Sequence, residues 1–144
     1  MIPMQLKKFI EKQAGDVKRT NRLAAERALC ELGVPLDTEF AEFYLNYKIT
    51  LFHSNVSDEQ LCDVAEPSRE VAQGTQFVQK VWKLPEQYIC FSSIQGEGAY
   101  LYDRNTGKVW NFSLASRDAF LAGQEQSGWD CFYDFLLWYL EGTE

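Results

Sequence analysis

The side chains with the widest chemical repertoire in this chain are a lone histidine, His53, and four cysteines, Cys30, Cys62, Cys90 and Cys131. A cysteine nucleophile needs a base within hydrogen-bond reach and a thiol whose pKa is lowered. Cys62 is the cysteine nearest His53 in sequence, so a small hydrolase would have to use that pair, yet nothing in the spacing sets one beside the other. A single histidine excludes multi-histidine metal sites, and no CxxC pair exists, so zinc is not expected and neither is any other cofactor. The run Asp103-Arg104-Asn105-Thr106-Gly107 has the start of a calcium loop but no glutamate at its far end, and reads as a hairpin turn. Gly96-Glu97-Gly98 lacks the third glycine and the following helix of a dinucleotide site. Asn55-Val56-Ser57 and Asn111-Phe112-Ser113 match the glycosylation sequon, which has no meaning without secretion.

With nucleophiles and metal ligands so sparse, charge carries more of the signal. The chain has a net charge of −7, unevenly distributed. Up to Cys30, Lys7, Lys8, Lys12, Lys18, Arg19, Arg22 and Arg27 outnumber Glu11, Asp16 and Glu26 for a net +4, so the remainder carries −11. An acidic body repels nucleic acid and membrane surfaces and attracts basic proteins. Neither nucleic acid nor membrane is therefore an expected partner; the basic N-terminal helices leave a minor nucleic-acid reading open, and solvated helix faces explain them more simply. Beyond that region stand Glu39, Glu42, Asp58, Glu59, Asp63, Glu66, Glu97, Asp118, Asp130 and Asp134, either as plain solvated surface or as a face for a basic partner. No apolar run approaches the roughly 18 residues that span a bilayer. The first residues lack the sustained apolar stretch of a secretory signal, so a cytoplasmic protein with reduced thiols is expected.

Three strand-like runs, 88–94, 99–104 and 108–114, are rich in aromatic and β-branched residues and are separated by short glycine-containing turns. Gly96 and Gly98 in the first turn, and Gly107 in the second, can take positive φ at little cost. Antiparallel strands this close in sequence form a meander. Both faces carry apolar side chains, so helices should cover one face while the other stays partly exposed as a binding surface.

Helices flank this sheet. Leu6, Phe9 and Ile10 suggest a short amphipathic helix interrupted near Gly15. A second runs from the N-cap Asn21 to Leu32, with Ala25, Ala28, Leu29 and Leu32 as its apolar stripe and Gly33 as its C-cap. Asp37 is placed to cap a third, whose Phe40, Phe43, Tyr44 and Tyr47 form an aromatic stripe. Ser57-Asp58-Glu59-Gln60 resembles a capping box opening a short helix that Pro67 ends. Residues 67–76 read as loop, 77–83 as an edge strand, and 116–128 as an exposed connection. Residues 128–141, with Trp129, Phe132, Phe135, Leu136, Tyr139 and Leu140, form a closing helix buried on much of its circumference. The whole is one α+β domain of 144 residues, an antiparallel β-meander sheet with helices packed against it, long enough to bury roughly 68–70% of its unfolded surface.

The order of these signals resembles the SUKH superfamily, which includes yeast cell-wall-synthesis regulators and many bacterial immunity proteins encoded beside polymorphic toxins. Gly33-Val34-Pro35-Leu36-Asp37 leads into Phe40 and Phe43. Later, Leu84-Pro85-Glu86 leads into Tyr88-Ile89-Cys90-Phe91, a glycine hairpin, Tyr100-Leu101-Tyr102-Asp103, a second turn, Val109-Trp110 and an aromatic helix. The likeness covers roughly residues 32–140, and Asn46-Tyr47-Lys48-Ile49 stands where the family often has a glycine pair. It implies a SUKH-like α+β fold without enzymatic activity. It also implies stoichiometric binding and neutralisation of a cognate contact-dependent toxin domain, often a nuclease. Glu39, Glu42, Glu97 and Asp103 would face that basic partner, with Tyr100 and Tyr102 as anchors. The family's other role, a non-enzymatic interaction or regulatory module in secretion or cell-wall signalling, is the alternative.

Overall fold

The hydrophobic pattern resolves, in a computed structural model that describes residues 1–141, into an α+β fold built on a three-stranded antiparallel meander. Strands β1 (Tyr88–Cys90), β2 (Gly98–Asp103) and β3 (Val109–Ser113) lie in sequence order. Ile89, Tyr102 and Val109 align across one face, and Cys90, Leu101 and Trp110 across the other. Gly96 (φ +60°) and Gly107 (φ +80°) take the left-handed conformations that the two turns demand. β1 is shorter than the expected 88–94 because beyond Cys90 the ladder to β2 turns irregular, with Phe91 donating to the Tyr100 carbonyl at 3.4 Å and the Ser92 hydroxyl accepting the Tyr100 amide, while the other side pairs with residues 60–62. Leu61 bridges Ser92, Phe91 accepts from the amide of Cys62 at 2.9 Å, and Ser93 donates to the carbonyl of Gln60 at 2.7 Å.

On the first face lie α3 (Glu39–Asn46) and α6 (Phe132–Leu140). Phe40 stacks on Tyr102 with ring centroids 4.4 Å apart and meets Phe132 at 5.0 Å, while Phe91 sits edge-on to Phe135 at 5.2 Å. Each such ring contributes roughly 1.5–3 kcal/mol by burial, and each aromatic pair about 0.5–1.5 kcal/mol more. α1 (Met4–Glu11) and α2 (Arg22–Glu31) complete this layer, α1 against α6 and α2 against α3. Asn21 caps α2 as its residue type predicts, accepting from the amide of Ala24. At the other end Gly33 (φ +74°) donates to Cys30 and Val34 to Leu29, the paired closing bonds of a glycine C-cap. The N-cap of α3 is Thr38 rather than Asp37, since the Thr38 hydroxyl accepts from Ala41 at 3.3 Å. α6 starts at Phe132, later than expected, because Trp129 is held in extended form by hydrogen bonds with Val109.

The second face is covered too, contrary to the expected exposed layer. Its cover comes from α4 (Glu70–Lys80) and the short α5 (Arg117–Leu121), in stretches read as loop, edge strand and open connection. Val78, Trp82, Leu84 and Phe120 pack there on Cys90, Ala99, Leu101 and Phe112. α4 buries Val71, Thr75 and Val78, and at Gly74 an added Cβ would lie 3.4 Å from the Cys90 sulfur, so a small residue brings the helix close to β1. No helix opens at Ser57. Its hydroxyl instead hydrogen-bonds Tyr100 at 2.7 Å and accepts the amide of Glu59, holding a turn. Among the described residues, no helix is long and apolar enough to cross a membrane.

Candidate functional site

The N-terminal half of α3 and the start of α6 bring the acidic side chains together. Glu39 reaches across to accept the backbone N–H of Tyr133 at 3.0 Å, capping α6 from a residue 94 positions away. One turn on, Glu42 accepts from the Tyr133 hydroxyl. Burial, followed by this contact with Glu42, raises the Tyr133 hydroxyl far above the ordinary tyrosine pKa. Both carboxylates therefore also do internal structural duty, docking α6 on α3.

Around them run two adjoining grooves, next to a third of about 610 Å³ where Glu42 stands among Lys7, Lys18 and the Met1 ammonium, which meets it at 3.3 Å. One, of about 440 Å³, is lined by Asp37, Glu39, Tyr102, Arg104, Asp130 and Cys131. The other, of about 280 Å³, is lined by Leu36, Asp37, Glu39 and Glu42 among others. Asp37 and Asp130 are exposed and carry no ion pair among the described residues. Arg104, the cation of the first groove, is turned toward the end of α2, where its guanidinium donates to the Leu32 carbonyl at 2.9 Å, and the second groove holds Arg22 and the Met1 ammonium. Gly33 leaves room for it, since a Cβ there would stand 2.7 Å from Nη1.

The structure places the other expected contact residues differently. Tyr100 and Tyr102 are only 4% and 2% exposed, so they are core rings and not surface anchors. Tyr100 packs on Phe135 at 4.9 Å, and burial raises both phenols. Asp103, 3% exposed, organises the β2–β3 hairpin by accepting from the amide of Asn105 at 2.9 Å and from Gln87 at 3.2 Å. Glu97 is exposed in the opposite hairpin, about 20 Å of strand away from Asp103. Of the six, only Glu39, Glu42 and Tyr102 border the grooves, and the exposed apolar side chains there are Met1 and Leu36.

His53 and Cys62 do not form a pair. His53 is exposed, with its Nε2 at 2.8 Å from the Asn55 side chain. Burial, with Glu70 next, pushes the Cys62 thiol up to about 12, the opposite of an activated nucleophile. Burial likewise raises Cys90 and Cys131 to about 11. The described residues hold no group of three or more histidine, cysteine and acidic side chains suited to a metal ion.

One charged constellation had no signal in the sequence. Arg19, counted with the solvated basic residues, is buried. Its guanidinium meets Asp63 at 2.7 Å, Glu66 at 3.3 Å and the carbonyls of Tyr44 and Tyr47 at 2.5 and 3.1 Å. Asp63 also accepts the amides of Ile49, Ala65 and Glu66. The partners lie 44 and 47 positions along the chain, and no local pattern marks such a pairing. No protein-family model, curated protein or solved structure matches this chain.

Proposed function

We propose that the chain is a SUKH-type immunity protein, cytoplasmic and non-enzymatic, that binds a cognate toxin domain one to one and neutralises it by occlusion. The observation that carries this reading is the paired groove at α3, where the unpaired carboxylates of Asp37 and Asp130 stand beside Leu36 on a body of net −11 beyond Cys30. The order of elements from Gly33 through the meander to the aromatic closing helix supports the family likeness. A toxin that cuts nucleic acid must hold phosphate and is therefore basic. An acidic rim speeds its approach, to about 10⁸–10⁹ M⁻¹s⁻¹ at low salt, and a central apolar side chain holds it.

Co-expression with the toxin encoded beside this chain restores growth, whereas unrelated toxins kill regardless. Asp37→Lys with Asp130→Lys slows association and flattens its salt dependence. Failure of the wild-type chain to restore growth overturns the reading.

A further inference from the structure

β3 is an edge strand, and its outer side is only partly closed. Val109 donates to the carbonyl of Trp129 at 3.0 Å and accepts from the amides of Gly128 and Trp129. In the alternation of an antiparallel ladder, Asn111 and Ser113 direct their N–H and C=O groups the same way as Val109. No described residue hydrogen-bonds those four groups, although Gly128 lies beside the first of them, where an added Cβ would stand 3.9 Å from the Asn111 nitrogen. Both residues are exposed, and neither a charge nor a proline guards this stretch, the devices by which edges are commonly blunted. A small cleft of about 50 Å³ runs beside it, walled by Trp110, Phe120, Glu125 and Gln126. The Trp110 indole N–H is buried there without an acceptor among the described residues, a second unmet donor at the same place.

We propose that Asn111–Ser113 takes an extended, basic segment of the partner by strand addition, continuing the pairing that Trp129 begins. This deepens the toxin-binding reading and rests on it for the identity of the partner. Main-chain groups of the added segment bond Asn111 and Ser113, and Glu125, the charged side chain of the cleft, favours lysine or arginine on the incoming strand. A second copy of this chain fits poorly. Antiparallel pairing about Asn111 would set Ser113 of one copy against Val109 of the other, whose outward groups are already bonded. Pairing about Ser113 would need Ala115 extended, and Ala115 lies in the 3₁₀ turn Leu114–Ser116.

The test uses the full chain, isotope-labelled, titrated with an end-blocked hexapeptide of alternating lysine and valine. The amides of Asn111 and Ser113 shift together and exchange more slowly with solvent when the peptide is bound, and Asn111→Pro weakens binding by about tenfold. Proline at 111 removes an outward donor and no ladder bond, and its ring would stand against Gly128. Glu125→Lys, which changes the cleft wall and removes no ladder hydrogen bond, weakens the same peptide several-fold and keeps the test decisive if the proline variant fails to fold. Shifts absent from residues 111 and 113, or unchanged in both variants, overturn strand addition. So does slowing of these amides with protein concentration alone, which would assign the edge to self-pairing. Growth rescue is scored separately: peptide on the edge without rescue sinks the immunity reading and leaves strand addition standing.

Discussion

At the β1 edge a helix and a neighbouring strip of chain cover the strand, whereas at the β3 edge closure stops after Val109. The amide of Cys90 is taken by the Thr75 hydroxyl at 3.0 Å, and residues 60–62 continue the sheet alongside Phe91–Ser93. That strip of irregular chain is fixed by the buried Arg19–Asp63 pair at its end. The β3 edge has no such lock, and its bonded cover ends at Gly128 and Trp129. One edge is thus finished with buried charge and a helix, and the other with a single bridge. A closed edge adds stability, and an open one is a place where another chain can be recognised.

The largest effect expected from breaking this contrast is at Arg19. Arg19→Ala leaves Asp63 buried without its cation, and chemical denaturation should show a loss of about 3–5 kcal/mol. Retained stability would mean that residues 60–66 hold the β1 edge without the ion pair. Next comes Thr75→Val, which keeps the shape but strands the Cys90 amide, for a loss of about 1–3 kcal/mol and faster exchange of that amide.

The thiols at this edge also set a pH dependence. Folding raises Cys62 from 9.0 to about 12 and Cys90 from 9.0 to about 11, so the folded state holds protons that the unfolded state releases. The stabilisation is complete below pH 9 and is lost as pH climbs toward 11–12, with the buried tyrosines Tyr47 and Tyr139, raised to about 12, adding to the fall from pH 10 upward. A melting temperature that holds steady from pH 8 to pH 11 would contradict this. The smallest effect is at the open edge. Ser113→Lys should move stability by no more than about 0.5 kcal/mol, while blocking an incoming strand. A larger loss would show that the outward side of β3 is engaged within the fold.

Legibility in the sequence followed the range of the interactions. Asn21 and Gly33 punctuate α2 because a cap is made within three to five residues, and the meander was readable because its turns and strands are neighbours in the chain. α4 was missed for a different reason. Gly74 and Thr75 are poor helix formers, and Phe77, Val78, Val81 and Trp82 read as strand, yet packing of Val71 and Val78 and the close approach of Gly74 to Cys90 outweigh that preference. The same limit applied to the site. Glu39 and Glu42 are legible in the sequence as acidic residues beyond the basic N-terminus, but their grip on Tyr133 spans more than 90 residues.

Residue types and their local order alone determined an acidic chain with an aromatic interior, a three-stranded meander, and the start and stop of α2 at Asn21 and Gly33. Tertiary structure decided which tyrosines are core, which face a helix covers, which arginine is buried and which sheet edge remains open. Each of those outcomes depends on desolvating groups from distant parts of the chain against one another, and a contact of that kind has no period or motif along the sequence.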